Sequence, residues 1–290
     1  MSKIEVLYCV LDGDILHIAE HLPPPRPDVA YLVAWQQRGG EEQNAPGELL
    51  QREDVKILVH KSIGLSKNRN FALANATGDL LILADADNIY IYEYFDRLLA
   101  AAAAQPEADI LLFQAITPEG NLLKNYPEVS CTYADRPRGL SFSSCDIVLR
   151  RSAALPRFDE RFGLGAAHLG CGEEEIFLEE ASRGGCRIVY TPQTIVTTRA
   201  ATTGDRFWVD PKVRRAKGAV LCYMHGAAGA ALRCLKFAAV QGKAPLALRI
   251  KAFRDMAWGI WYSFTTSKAS FEKYEAAFAK IGYAIRKKEE

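Results

Sequence analysis

Along the first two thirds of the chain, short unbroken runs of apolar residues alternate with segments whose apolar residues recur about one helical turn apart. Ile4–Val10, Val29–Ala34, Val55–Val59, Leu80–Ala84 and Asp109–Gln114 read as strands, because short apolar runs closed by polar or Gly residues mark strands buried on both faces. Ser141–Arg150, entered from Gly139, and Arg187–Tyr190, stopped by Pro192, read as two more. Between them fall predicted helices. The first is short, over Asp14–His21, and is closed by Pro23, Pro24 and Pro25. The second starts at Ser66 as N-cap, runs to about Thr77 and stops at Gly78. Tyr92–Ala104 and Glu173–Arg183 follow, the latter ending at Gly184 and Gly185. Trp35–Asp54 reads as polar loop with at most a turn of helix, Pro118–Asn121 as a turn and Phe158–His168 as a glycine-containing loop. Strands alternating with helices predict an α/β fold, a mostly parallel sheet covered on both faces.

The last 85 residues change character. Helical stretches there interleave Leu, Phe, Met and Trp with Lys and Arg, and the division predicts a domain over 1–205 and a basic helical extension over 206–290. Residues 1–205 carry 19 Lys and Arg against 29 Asp and Glu, whereas residues 206–290 carry 17 against 6. The overall +1 therefore hides an acidic body and a basic tail, which points to an anionic surface or substrate near the tail. Two readings of the tail are open: an amphipathic helix lying in a membrane interface, or helices packed on the domain with a solvated basic face. Gly218–Leu232 is uncharged but too short and too rich in Ala and Gly to span a bilayer. A composition of 49% hydrophobic and 24% charged residues gives an ordinary globular core, and no nucleic-acid partner is expected. The seven cysteines form no CxxC pair, which fits free thiols in a reducing compartment. With no secretory signal visible, a cytoplasmic protein is expected, either soluble or peripheral on the inner face of the cell membrane.

The chemistry gathers on Gly78–Asn88, GDLLILADADN. A buried strand that stops at Asp85 and Asp87 presents two carboxylates where open α/β sheets hold their ligands. Spaced by one residue, they suit a shared hard cation, Mn²⁺ or Mg²⁺, which in turn holds a diphosphate. The glycine fingerprint of a Rossmann dinucleotide site and the Walker P-loop are both absent.

Taken in order, Gly64-Leu65-Ser66-Lys67-Asn68-Arg69-Asn70, Ala76-Thr77-Gly78-Asp79 and Asp85-Ala86-Asp87-Asn88 resemble the nucleotide-sugar half of family-2 glycosyltransferases of the GT-A fold. Phe158-Asp159-Glu160-Arg161-Phe162-Gly163 and Gly172-Glu173-Glu174-Glu175 resemble that family's acceptor half. The match covers roughly residues 1–200 and is also similar to bacterial members that build surface polysaccharides. The resemblance implies that Asp85 and Asp87 engage the donor ribose and the metal–diphosphate, that Arg69 lies near the nucleotide, and that Asp79 supports the fold. It points to Glu174 as the general base, with Glu173 second, and to Ser143 and Ser144 on the acceptor side. A carboxylate suits the base role because it takes a proton from a sugar hydroxyl as that oxygen attacks the anomeric carbon. Glu173, Glu174 and Glu175 would also stabilise a helix N-terminus through its dipole.

Two positions depart from the family pattern. Trp35-Gln36-Gln37 stands where an acidic residue usually reads the base, so Gln36 or Gln37 is expected to supply an amide instead. Val196-Thr197-Thr198-Arg199 lacks the usual metal-ligating His, and Arg199 is a candidate to contact the diphosphate directly instead. The reading is an inverting, metal-dependent transferase taking a nucleotide-diphosphate sugar, with a UDP-sugar favoured, to a saccharide or lipid-linked saccharide. Its rivals are a non-catalytic nucleotide-sugar-binding subunit and a sugar nucleotidyltransferase. The second of these would need a Gly-rich basic loop where Leu11-Asp12-Gly13-Asp14 stands.

Overall fold

The computed structural model describes residues 3–39, 44–151, 154–199, 203–240 and 244–271. Its strands are β1 (Ile4–Leu11), β2 (Val29–Gln36), β3 (Val55–His60), β4 (Leu80–Ala84), β5 (Ile110–Ile116), β6 (Cys131–Thr132), β7 (Ile147–Arg150) and β8 (Ile188–Thr197). The helices are α1 (Ile15–His21), the single turn α2 (Gly47–Leu50), α3 (Leu65–Asn75), α4 (Tyr92–Ala104), α5 (Glu173–Arg183), α6 (Pro211–Val240) and α7 (Leu246–Thr265). One sheet runs in the order β3-β2-β1-β4-β7-β5-β8-β6. β1 to β4 are mutually parallel where they pair, and β5 is parallel to β8. β7 is wedged antiparallel between β4 and β5, and β6 runs antiparallel to β8.

Alternate residues of the central strands feed two cores, as the period of a strand requires. Ile4, Val6, Tyr8 and Val10 of β1 point into one, with Ile15 and Ile18 of α1 and Phe95 and Leu98 of α4. Leu7 and Cys9 point into the other, with Ala72 of α3 and Phe177, Leu178 and Ala181 of α5. The chain forms two compact units: Met1–Phe158 with Phe177–Thr202, and Asp159–Ile176 with the described residues from Thr203 onward. In the second unit, Phe162, Leu169 and Ile176 pack with Ala216, Ala219 and Val220 of α6, while Met256 of α7 is buried with Cys234 and Ala238 of α6. α6 breaks at Gly226, whose φ of 68° and ψ of 174° no helix accommodates.

Several local expectations are corrected. Ser66 does not cap α3. The cap position is Gly64 at φ +118°, and Ser66 lies buried inside the first turn. Gly78 does not stop that helix, which has already ended at Asn75. Gly78 is required instead by closeness to β1, since an added Cβ would meet the Glu5 Cβ at 2.6 Å. The buried Glu5 carboxylate accepts the N–H groups of Thr77 and Gly78 and so fixes the turn into β4. The expected strand Ser141–Arg150 begins as a 3₁₀ turn over Ser144–Asp146, because Ser143 and Asp146 form a reciprocal capping box there. Pro192 does not end β8, which continues to Thr197. β6 reaches only Val189 and Tyr190, and the β5 register is irregular beyond Leu112, so a residue without an N–H is tolerated at this point.

The predicted loop after β2 contains α2, and its residues 40–43 lie outside the described residues, as do residues 272–290 of the expected extension. All seven cysteines are free thiols. Among the described residues, no helix is long and apolar enough to cross a membrane.

Candidate active site

Because β1, β2, β3 and β4 are parallel, Leu11, Gln36, His60 and Ala84 all end at one edge of the sheet. β7 runs the other way beside β4, pairing Val148 with Ile82, so the turn that precedes it arrives at this edge too. Topology alone therefore brings Ser143 and Ser144 to the end of β4. Ser144 is buried and its hydroxyl donates to Asp85 Oδ2 at 3.2 Å. The Ser143 hydroxyl accepts from Lys124 Nζ at 2.8 Å, and Lys124 also pairs with the fully buried Asp146 at 2.8 Å. Tyr126 donates its hydroxyl to the other Asp146 oxygen at 3.1 Å, which completes a buried brace behind the two serines.

Arg69, on α3, is almost wholly buried, and its guanidinium stands 3.6 Å from Asp85 Oδ1 and 5.5 Å over the ring of Phe158. The next residue, Asn70, fixes Phe158 from both sides: its amide donates to the Phe158 carbonyl at 3.0 Å and its oxygen accepts the Phe158 N–H at 2.8 Å. Asn68 anchors the same helix to the sheet by donating to the carbonyls of Val10 and Ala34, while its oxygen meets His60 Nε2 at 2.8 Å. Gln36 is buried at the end of β2, and its amide nitrogen donates to Ser62 Oγ at 2.7 Å and to the Gly64 carbonyl at 3.0 Å. That amide is committed to the start of α3, the helix that carries Arg69.

Asp87 is half-buried, and burial first, then the charge of Asp85, raise its carboxyl above the ordinary value. Arg199 offsets this only weakly, with Nε 3.8 Å from Asp87 Oδ2. Asn88, which sequence reasoning gave no role, organises the turn. Its side-chain oxygen accepts the Asp85 N–H at 2.9 Å, and its amide donates to Thr198 Oγ1 at 2.9 Å. Tyr8 donates its hydroxyl to the Asn88 carbonyl at 3.2 Å. Paired backbone hydrogen bonds between Ile89 and Thr197 then hold the end of β8, with Arg199 just beyond it, beside the two aspartates. The only sequence signal for Asn88 was its place directly after the acidic pair.

Asp87, raised by burial and by the charge of Asp85, fits a cation shared with that neighbour, which relieves the repulsion. Among the described residues, no group of three His, Cys, Asp or Glu side chains stands together to hold a metal alone.

The structure thus joins Arg69, Asp85 and Ser144 directly, sets Asp87 and Ser143 close to them in the chain, and places Gln36 at the same end of the sheet in the first unit. Glu173 and Glu174 open α5 and belong to the second unit, with Glu173 buried and Glu174 partly exposed. Gly172 before them has φ +92°, and a Cβ there would lie 2.6 Å from Val220 Cγ2, so only glycine lets the chain enter α5 this way.

The family model of glycosyl transferase family 2 matches residues 41–147, a stretch that includes Arg69, Asp85, Asp87, Ser143 and Ser144 and stops short of Glu173. The resemblance to family-2 glycosyltransferases holds. The fold, a mixed α/β sheet of the GT-A class, is shared with solved structures. The crystal structure of S. aureus TarS 1-349 aligns with a TM-score of 0.55 at 17% identity, covering 96% of this chain and 91% of that one. The same protein in complex with UDP-GlcNAc aligns equally, with 96% and 92% coverage, and in complex with UDP at a TM-score of 0.50 and 16% identity, covering 92% and 73%. No curated protein matches the chain. At this identity the solved structures speak for the fold alone.

Proposed function

We propose that this protein is a family-2, inverting glycosyltransferase that moves a sugar from a nucleotide diphosphate, a UDP-sugar, to a saccharide acceptor in surface-polymer synthesis. The observation that carries the reading is the acidic pair at the end of β4, with buried Arg69 3.6 Å from Asp85, inside the segment matched by the family model. The complexes of TarS with UDP and UDP-GlcNAc favour uridine as the base. Residues 1–205 are read as the transferase domain and 206–290 as its basic helical extension, which favours a lipid-linked acceptor. Free thiols throughout favour a cytoplasmic site of action.

In this reading Asp85 and Asp87 would hold a divalent cation, Mn²⁺ or Mg²⁺, which when bound offsets the charge gathering on the departing diphosphate. Arg69 and Ser144 orient Asp85, and Asn88 fixes the turn on which both aspartates sit. Gln36 supports the donor from behind, through Gly64 and α3. Arg199, mostly exposed beside Asp87, is available to the diphosphate oxygens. Glu174, with Glu173 in reserve, takes the proton of the acceptor hydroxyl while that oxygen bonds to the anomeric carbon. The bond from that carbon to the diphosphate breaks on the opposite face, so the anomeric configuration inverts. Ser143 and Ser144 are assigned to the acceptor side.

The test is transfer or hydrolysis of UDP-sugars by the purified chain with Mn²⁺ present. Glu174→Gln is expected to abolish transfer while UDP binding persists, with a loss of roughly a hundredfold or more for removal of a general base. Asp87→Ala is expected to abolish the metal-stimulated rate. Intact transfer by Asp87→Ala, or loss of UDP binding in Glu174→Gln, would sink the assignment.

A further inference from the structure

Helix α7 packs against α6 on one side only. Ala252, Met256 and Gly259 are buried there. The helices approach so closely that a Cβ on Gly218 would lie 1.9 Å from the Met256 carbonyl oxygen, and one on Gly259 would lie 1.9 Å from that of Arg215. The opposite side carries Leu246, Ile250, Trp261 and Phe264, exposed to 67, 53, 56 and 64%. Their spacings keep them on one side of an α-helix, so they form an apolar stripe along it rather than scattered surface residues.

Beside the stripe lies a cavity of about 330 Å³ lined by Arg215, Lys251, Arg254, Asp255 and Trp258. The Arg215 guanidinium is stacked 4.5 Å from the centre of the Trp258 ring, and its buried Nε has no hydrogen-bond partner. The one acid in the lining, Asp255, is paired with buried Arg214 at 2.6 Å, which leaves the cavity basic. A guanidinium preorganised by stacking on Trp258, flanked by two further cations, is chemistry that recognises a phosphate.

We propose that this face of α7 docks on an anionic membrane surface, the apolar stripe entering the boundary of the acyl chains and the Arg215–Lys251–Arg254 cavity taking a lipid phosphate. Exposed Trp and Phe on an amphipathic helix, with cations alongside, are the elements of interfacial binding. Charge decides against a second copy of the chain as the occupant, because a symmetric contact through the stripe would bring two basic cavities towards one another. The inference rests on the reading of a lipid-linked acceptor and adds the surface that would bring the enzyme to it.

The full chain is mixed with vesicles of phosphatidylcholine alone or with phosphatidylglycerol added, and sedimentation is followed together with tryptophan emission. Sedimentation with the anionic vesicles only, weakened by salt, is expected. Lys251→Ala with Arg254→Ala should lower the partition coefficient by roughly thirtyfold, from about a fivefold loss per surface cation. Trp261→Ser with Phe264→Ser should abolish binding, while far-UV circular dichroism, unchanged in both exposed pairs, confirms that they fold. No sedimentation with anionic vesicles, binding by both variants at the parent level, or dimerisation through the stripe in place of vesicle binding would each overturn the proposal. UDP binding in the same samples separates the two readings. Lost vesicle binding with UDP binding kept removes only the docking face, and vesicle binding without any nucleotide binding speaks against the transferase alone.

Discussion

Burial and the charge of Asp85 both raise the Asp87 carboxyl above its ordinary value, and at Asp87 that shift sets stability against the proposed chemistry. A carboxyl that holds its proton more tightly in the folded than in the unfolded chain makes the fold bind more protons between the two pKa values. Stability therefore falls as pH rises through that window, and the ionised Asp87 remains a cost at every pH above it. Asp87→Asn keeps the shape without the charge. Its Tm at neutral pH is expected to exceed that of the parent, the gap closing as the buffer is acidified below the ordinary carboxylate range. Mn²⁺ should raise the Tm of the parent and leave that of Asp87→Asn unmoved, since only an ion bound by the native state stabilises it. Differential scanning at several pH values, with and without Mn²⁺, measures both effects. An Asp87→Asn chain less stable than the parent at neutral pH would remove the electrostatic conflict. Such conflict is expected where a site is built for a ligand rather than for the fold.

Among the elements, the sharpest packing constraint is the crossing of α6 and α7 at Gly218 and Gly259. A methyl group on Gly218 has backbone, not a flexible side chain, in its way, so the helices must separate along their contact. Gly218→Ala is expected to cost about 3 kcal/mol, at the upper end of what overpacking does, and to lower the midpoint of the helix signal in urea unfolding followed by circular dichroism. An unchanged midpoint would mean that the crossing is looser than its geometry. That crossing is not legible in the sequence, because a glycine in a sequence displays its weak helix propensity and not the backbone that will pass against it. The helices α4 and α5 were legible end to end, because each has a full apolar face and a clear stop, Pro106 beyond one and Gly184 after the other. The errors came where tertiary partners outrank local preference. Ser66 has the chemistry of a cap, but Gly64 takes the position with its positive φ. Pro192 breaks most strands, yet at an irregular and half-unpaired stretch of β8 it interrupts nothing. In the site, Asp85, Asp87 and Arg69 could be read because motif spacing carries charge. Asn68, Asn88 and Asp146 could not, because their weight comes from being buried, and a sequence does not display which polar side chains a fold will bury.

At the scale of the molecule, the residues of the proposed donor site, together with Ser144 of the proposed acceptor side, all gather at one edge of one sheet, and a ligand that joins them should stabilise that unit as a body. Arg69 comes from α3, Asp85 and Asp87 from the end of β4, Ser144 from the turn before β7 and Arg199 from beyond β8, elements spread from residue 65 to residue 199. A diphosphate and its cation held among them would link α3, β4, β7 and β8, so unfolding any of these would require releasing the ligand. Saturation at about a hundred times Kd adds about 2.7 kcal/mol to the native state. For a body of this size that corresponds to a rise in Tm of roughly 5–10 °C. UDP with Mn²⁺ is expected to give that rise. UDP alone should give less, because the like charges of Asp85, Asp87 and the diphosphate then face one another without a cation. UMP, which lacks the second phosphate, should give least even with Mn²⁺. The order of the three ligands is a firmer discriminator than the size of any one shift. A dinucleotide site gives no reason for the metal to matter, whereas a site organised by the acidic pair requires it. If UDP stabilises the chain equally with Mn²⁺ and with EDTA, the acidic pair is a fold element and the donor is held by Arg69 and Arg199 instead.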